Sequence, residues 1–189
     1  GEGKVAWANW VGSDGKTYSP QTPMVNDILA IQRIYGADLS TRVGDTVYGF
    51  HSNVTGEMAA IFDFTKNSHP ILTIYDSGGT NTLDLSGFAG VSTANLNAGA
   101  YSSCNGMTDN VAIAYNTLIQ NIVTGAGNDV ITGNASNNVI DGGAGTDTDV
   151  CTGGAKSYSV CLSTTGLMLK DAVAGRDGVD TLKNIENIS

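Results

Sequence analysis

Long apolar runs, glutamate, cysteine, proline and histidine are all scarce in this chain of 189 residues, and each shortage closes off a class of protein. No hydrophobic stretch approaches the roughly 20 residues that cross a bilayer. No basic start followed by an apolar segment opens the sequence at Gly1, so a soluble chain with no visible amino-terminal export signal is expected. Three cysteines, Cys104, Cys151 and Cys161, are too few for a disulfide scaffold, and none sits at a C-x-x-C spacing. Three prolines beside 25 glycines exclude collagen-like and proline-rich linker sequences, so the glycines must serve turns. Nine Lys and Arg against 18 Asp and Glu leave a formal charge of −9, which repels phosphate backbones and anionic lipid. No nucleic-acid or membrane partner is expected, and cationic partners are favoured. The acids are uneven too, with 15 Asp and only 3 Glu, and Asp is the short carboxylate that loops use to hold hard cations.

A mass of 19.4 kDa supports one main folding unit and is too small for two large independent cores. Residues 1–22, with Trp7, Trp10 and Tyr18 among Gly, Ser and Lys, carry no sustained period and read as an irregular aromatic lead-in. One short helix is predicted over 23–35, with Thr22 as its N-cap, Pro23 in its first position and Gly36 turning left-handed after it. Met24, Ile28, Ile31 and Tyr35 share one face of that helix, which should pack on the rest of the chain. From Asp38 onward, β-prone stretches at 46–48, 59–62, 72–75, 82–85, 94–96 and 111–114 alternate with Gly, Asn, Asp and Ser. Many short strands joined by tight turns indicate an all-β body. Stretches 149–151 and 160–162 flank Gly153-Gly154, so a hairpin could bring Cys151 near Cys161; a disulfide and two buried thiols both stay open.

Between 124 and 150 the sequence divides into nines, TGAGNDVIT, GNASNNVID and GGAGTDTDV, which match the nonapeptide G-G-x-G-x-D-x-U-x with decreasing fidelity. In such a unit six residues turn and three form a strand. The glycines let carbonyls point at an ion, Asp supplies charge, and the apolar U position enters a thin core. Ile131 and Ile140 fit the U position, and Asp149 does not. Two nines make one coil of a calcium-binding parallel β-roll, a β-solenoid sandwich, so residues 18 apart stack and Asp129 lies beside Asp147. A cation there, with carbonyls from Gly125, Gly127, Gly143 and Gly145, suits calcium and its six to eight oxygens better than magnesium. Zinc would need His or Cys, and neither is at hand. On the opposite edge Gln120 and Asn138, also 18 apart but uncharged, would hold an ion only weakly. A dinucleotide-binding glycine loop would lead into a helix, whereas this one leads into strands and more glycines.

The residues before the repeat narrow the reading. Pro20-Gln21-Thr22-Pro23-Met24, Asp27-Ile28-Leu29-Ala30-Ile31-Gln32, Tyr35-Gly36-Ala37-Asp38 and Arg42-Val43-Gly44-Asp45-Thr46-Val47-Tyr48-Gly49-Phe50 come in order, and Tyr75-Asp76-Ser77-Gly78-Gly79-Thr80-Asn81-Thr82-Leu83-Asp84-Leu85-Ser86-Gly87-Phe88 continues the series. From about Trp7 to Val150 the chain resembles the junction between the protease domain and the carboxyl-terminal RTX β-roll of serralysin-type secreted zinc metalloendopeptidases. The resemblance implies that residues 1–37 end a protease domain and 38–189 form the β-roll domain, with repeats at 124–150 and an irregular β end at 151–189. It further implies a calcium site with carbonyls from Arg42 and Gly44, the oxygens of Thr46, the Asp76 carboxylate and Gly78. Asn81 and Gln120 stand where the family usually has Asp and Glu, which removes charge from two sites it normally fills.

The zinc motif H-E-x-x-H-x-x-G-x-x-H is missing from this sequence; His51 and His69, in the β region, read as structural. No catalysis is therefore expected from this chain alone, and zinc would belong to a missing catalytic domain. Both ends look cut, since the stretch 178–188 resembles a β-roll tail that usually runs on. The expected function is a module that binds several calcium ions and supports the folding, stability and type I export of an extracellular parent protease. Its expected partners are calcium, the missing protease domain and the type I secretion machinery. The alternatives are the carboxyl-terminal half of an active protease seen as a cleaved fragment, and a stand-alone adhesive module using Trp7, Trp10 and the tyrosines.

Overall fold

The computed structural model describes residues 9–189, so Trp7 lies outside the described residues. The lead-in is tied to the body by its aromatic side chains. Tyr18 stacks on His69 with ring centroids 4.2 Å apart, and Trp10 Nε1 donates to the Asp109 carbonyl at 3.4 Å. Helix α1 (Val25–Tyr35) starts two residues later than predicted. Asp27 accepts the Met24 N–H at 3.0 Å, which makes Met24 the N-cap, while Thr22 Oγ1 accepts the Thr73 N–H at 2.8 Å and docks the chain instead. Gly36 ends the helix at φ 85° with its N–H on the Gln32 carbonyl. The expected packing face is only half realised: Val25 is buried and Met24 and Ile28 are partly covered, but Ile31, Ile34 and Tyr35 are exposed. Stretch 59–62 is also corrected, from strand to a single helical turn, α2 (Ala59–Phe62). The Ala-Ala pair favours a helix, and the turn carries Phe62 into the core. No helix among the described residues is long and apolar enough to cross a membrane.

The rest is strand and turn. In chain order the strands are β1 (Val47–Gly49), β2 (Leu72–Ile74), β3 (Thr82–Asp84), β4 (Thr93–Asn95), β5 (Tyr101–Ser102), β6 (Val111–Ile113), β7 (Asn121–Val123), β8 (Val130–Thr132), β9 (Val139–Asp141), β10 (Thr148–Val150), β11 (Tyr158–Leu162), β12 (Leu167–Asp171), β13 (Val179–Lys183) and β14 (Asn187–Ile188). They form a seven-stranded sheet in the order β1-β3-β7-β9-β13-β12-β11, a four-stranded sheet β14-β10-β8-β4 and a three-stranded sheet β2-β6-β5. The fold is all-β with mostly parallel ladders, as the sequence leads one to expect. From β7 to β10 the strands begin every nine residues and alternate between the two larger sheets. Asn121 therefore pairs with Val139, and Val130 with Thr148, 18 residues apart.

Each short strand turns its middle residue inward. Tyr48, Leu83, Ile122, Ile140 and Leu182 align in register along one sheet, and Ala94, Ile131, Asp149 and Ile188 along the other. From β7 to β10 only the middle residue is buried, which makes a thin interior there, and burying each apolar one contributes about 1.5–3 kcal/mol. Asp149 is the misfit among them. It is buried, with the Cys151 thiol 3.9 Å from Oδ2, and burial together with the charge of Asp177 pushes its carboxyl up to about 6.

The segment after Val150 is less irregular than expected. Strands β11 and β12 form an antiparallel hairpin, clamped at its base by Arg176 on both oxygens of Asp171 at 2.6 and 2.7 Å. The chain then rejoins the roll, β13 adding parallel to β9 and β14 parallel to β10. All three cysteines are free thiols: Cys104 buried, Cys151 half-buried and Cys161 exposed. Val160 lines the same small cavity as Cys151, so strand alternation turns Cys161 to the opposite side, away from a disulfide.

Ile140 stands fully buried between Ile122 and Leu182. Truncating it in Ile140→Ala should lower stability by about 2–5 kcal/mol in urea denaturation. Ile188→Ala, at a position 43% exposed, should lower it by distinctly less; equal losses would contradict the inward ladder. The buried acids give a second expectation. Asp180 is pushed up to about 7 by burial, then by the charges of Asp149, Asp177 and Asp171. Asp149 and Asp180 thus hold protons more tightly folded than unfolded, where Asp titrates near about 4. Stability should fall as pH rises through the window between those values, so in metal-free buffer the melting temperature should rise on acidification from about pH 7.5 to about 5. A flat or opposite trend in calorimetry would rule this out.

Candidate metal centre

Two residues before each inward position stands a polar residue, at the turn where the chain enters the strand. On the edge of the four-stranded sheet these are Ser92, Asp129, Asp147 and Glu186. The three acids each accept from the backbone of the coil before them: Asp129 Oδ1 from the Ser92 N–H at 2.6 Å, Asp147 Oδ1 from Asp129 at 2.7 Å and Glu186 Oε2 from Asp147 at 2.7 Å. Asp129 and Asp147 thus stack as their spacing predicts, and both are fully buried. Their Oδ2 atoms are buried as well and accept no hydrogen bond, and Ser92 Oγ beside them is equally without a partner. Desolvation raises the Asp147 carboxyl above its usual range, and the charges of Asp129, Glu186 and Asp141 add to this. Among the described residues no ion pair involves Asp129, Asp147 or Glu186.

The glycines around these carboxylates permit the close stacking. Gly143 and Gly145 have positive φ, 78° and 145°, and a Cβ on either would collide with the carbonyl oxygen of Gly125 or Gly127 one coil earlier. Bare carboxylate oxygens and the carbonyls of glycine turns are hard oxygen donors, the kind that calcium takes. Among the described residues no three His, Cys, Asp or Glu side chains converge on a point. An ion here would therefore draw most of its oxygens from backbone.

Six more of the predicted ligands meet at the helix end of the roll. Asp76, buried, accepts from the Tyr48 hydroxyl at 2.6 Å and from the Gly78 N–H at 2.9 Å. Arg42, at φ 50°, donates through Nε to the Tyr48 oxygen at 2.8 Å and through its terminal nitrogen to the Tyr75 carbonyl. The Gly44 carbonyl accepts from Thr46 Oγ1 at 3.1 Å, and Thr46 N–H donates to Asn81 Oδ1 at 3.0 Å. Tyr48 and Gly78 thus bond the Asp76 carboxylate, Arg42 reaches it through Tyr48, and Gly44, Thr46 and Asn81 join this group where Asn81 Nδ2 donates to the Gly78 carbonyl at 3.1 Å. Gln120 and Asn138 meet as well, Asn138 Nδ2 donating to the Gln120 carbonyl at 3.0 Å.

Sequence reasoning missed Ser92, Asp180 and Glu186. All three carry the signal that marks Asp129, a polar residue two places before an inward one, as in Asp180-Thr181-Leu182 and Glu186-Asn187-Ile188. It also missed Tyr48, whose hydroxyl is held protonated by burial and by Asp76. The two histidines stay apart: His69 stacks on Tyr18, and His51 Nδ1 lies 2.8 Å from Asp84 Oδ2.

Comparison with known proteins fits this geometry. Residues 37–189 match the family model described as Peptidase M10 serralysin C terminal. Serralysin C of Dickeya chrysanthemi is 43% identical over 123 residues, covering 65% of this chain and 25% of that protein. Metalloprotease AprA of Pseudomonas entomophila (strain L48) is 42% identical over 132 residues, 70% of this chain and 27% of its own length. Serralysin of Photorhabdus luminescens is 43% identical over 129 residues, 68% of this chain and 26% of the relative. The chain spans about a quarter of the length of the curated relatives it matches. With residues 37–189 under that model and these identities beside it, the chain belongs to the serralysin carboxyl-terminal family of M10 peptidases.

Proposed function

We propose that this chain is the calcium-binding RTX β-roll module of a secreted, serralysin-like zinc metalloprotease, in which bound calcium drives folding and supports stability and type I export of the parent. The observation that carries the reading is the pair of buried, unpartnered oxygens, Asp129 Oδ2 and Asp147 Oδ2, on neighbouring coils. Left bare, each costs the desolvation of a charge with nothing in return. Calcium supplies the compensating positive charge and accepts carbonyl oxygens alongside the carboxylates. Asp129 and Asp147 would hold it with the carbonyls of Gly125, Gly127, Gly143 and Gly145. A second and weaker cage would use Asp76 with Arg42, Gly44, Thr46 and Gly78, because one carboxylate attracts a divalent ion less than two.

The formal charge of −9 and the thin interior point the same way, since both weaken the metal-free fold. Extracellular calcium modules bind at about 10⁻⁴ to 10⁻³ M, so a calcium-poor cell interior would leave the module loose and the exterior would fold it. The division into 1–37 and 38–189, the zinc-bearing catalytic domain and the secretion machinery as partner belong to this reading of the parent. The second reading, a cleaved half of an active protease, is favoured by the names of the relatives, which include a metalloprotease.

After chelation, added calcium should increase the far-ultraviolet β signal and raise the melting temperature, saturating in the millimolar range. No change across that range would dismiss the proposal. Asp147→Ala should shift the calcium midpoint at least about tenfold upward, the loss of one of two carboxylates from the cage. A midpoint equal to that of the wild type would move the ion elsewhere. The chain supplied with zinc should leave casein uncleaved, whereas the full-length parent should cleave it; hydrolysis by the chain alone would favour a catalytic role for it.

A further inference from the structure

The two edges of the roll share one backbone plan, and Asn81 and Gln120 on one differ from Asp129 and Asp147 on the other in the second polar atom of the side chain. On the acid edge, Asp129 and Asp147 each spend Oδ1 on a backbone N–H of the previous coil and leave Oδ2 bare. On the opposite edge Asn81 Oδ1 accepts the Thr46 N–H at 3.0 Å, and Gln120 Oε1 accepts the Asn81 N–H at 2.7 Å, the same arrangement of side chain to backbone. The second position of these side chains is an NH2 group, and it is hydrogen-bonded in each. Asn81 Nδ2 donates to the Gly78 and Leu118 carbonyls at 3.1 and 3.0 Å, and Gln120 Nε2 donates to the Gly79 carbonyl at 3.0 Å. One coil on, Asn138 Nδ2 donates to the Gln120 carbonyl at 3.0 Å and to Asn134 Oδ1 at 3.1 Å, while Asn134 Nδ2 takes the Leu96 and Ile119 carbonyls at 3.0 and 2.8 Å.

We infer that this carboxamide ladder takes the place of cations from Asn81 to Asn138, so that this stretch of the edge folds without metal and, apart from the Asp76 cage at the helix end, calcium binding between coils is confined to the Asp129–Asp147 edge. An amide NH2 offers two partial positive hydrogens to converging carbonyls, which is what a bound cation offers them, and it is neutral. It therefore removes both the need for an ion and the carboxylate charge that would recruit one. Asn81 is buried and Asn138 is buried, yet neither has an unpartnered side-chain atom, in contrast to the bare oxygens of the acid edge. The inference rests on the proposed calcium binding only for the acid edge.

The test combines amide hydrogen exchange with ion counting by equilibrium dialysis, in calcium and in chelator. In wild-type protein the Asn81 amide should stay protected in chelator, while those of Asp129 and Asp147 lose protection. In Asn81→Asp/Gln120→Glu the amide of residue 81 should become calcium-dependent, and dialysis should count one more bound ion per chain. The reverse variant, Asp129→Asn/Asp147→Asn, should bind one ion fewer and keep its acid-edge amides protected in chelator. Equal loss of protection on both edges of the wild type would overturn the inference, as would an Asn81→Asp/Gln120→Glu variant that folds but gains no ion. A wild type that binds no calcium sinks the proposed function instead. The ladder then stands if the Asn81→Asp/Gln120→Glu variant still gains an ion, and falls if it does not.

Discussion

A coiled chain that returns to the same position every 18 residues places like atoms over like atoms, and everything else in this fold answers to that constraint. Stacking Ile122 on Ile140 is favourable at once, because apolar groups gain by adjacency. Stacking Asp129 on Asp147 is not, because two carboxylates lose water and meet each other's charge. The turn that lets the backbone coil so tightly also aims carbonyl oxygens into the same space, since Gly143 and Gly145 bring it against the carbonyls of Gly125 and Gly127. On the acid edge two bare carboxylate oxygens are thus stacked on neighbouring coils with no ion-pair partner among the described residues.

The interior offers little to offset an unmet edge. In the repeat, β7 to β10 each bury only their middle residue, so a coil adds two inward groups where a conventional sandwich strand would add two or three on its own. One of the inward positions is filled by Asp149, which does not stabilise an apolar layer in its charged form. The aromatic cluster of Phe50, Phe64 and Phe88 and the Tyr48–Phe62 contact give the helix-proximal end a thicker core than the repeat has. There Tyr48, itself bonded to Arg42, also donates to Asp76 and supplies the carboxylate with a protein partner. On the proposed calcium binding, dependence on an added ion therefore increases along the chain, from the aromatic end toward the nonapeptide turns.

Much of this is legible in the residues themselves, wherever the period is undisturbed. The nine-residue spacing of Ile131 and Ile140 fixes strand positions and the stacking of Asp129 on Asp147, because the backbone geometry of one coil leaves no freedom in register. Legibility ends where a segment is inserted into the coil. The return from Val139 to its next partner takes 42 residues, through the β11–β12 hairpin, and from Thr148 to its next takes 39, so no fixed period points to Asp180 or Glu186. Local chemistry misleads in two other places. Thr22 is a good N-cap by type, but docking the chain on Thr73 outweighs capping the helix. The stretch Ala59–Phe62 looks like its β neighbours, yet it lacks the β-branched residues that would hold it extended, apart from Ile61. The side-chain ladders were hidden for a different reason: whether an Asn faces a carbonyl or an N–H depends on a partner 35 to 38 residues away.

Carboxylate and carboxamide are nearly the same shape, so the choice between them at an edge position leaves the coil unchanged and alters only what completes it. With Asp, the oxygen column is incomplete until a divalent ion arrives, and folding becomes linked to ion concentration through the binding free energy. With Asn or Gln, the column is complete as synthesised, and that part of the roll is insensitive to the medium. A chain that carries both has one edge that is permanent and one that is conditional, back to back across a core one side chain deep. If calcium binds as proposed, the Asn81–Gln120 bond keeps β3 and β7 in register without it, and the ion has only to close the Asp129–Asp147 side of the roll. The entropy that calcium would then have to overcome is that of one turn per coil rather than of the whole coil, which would bring a calcium-driven folding transition within reach of weak, millimolar binding.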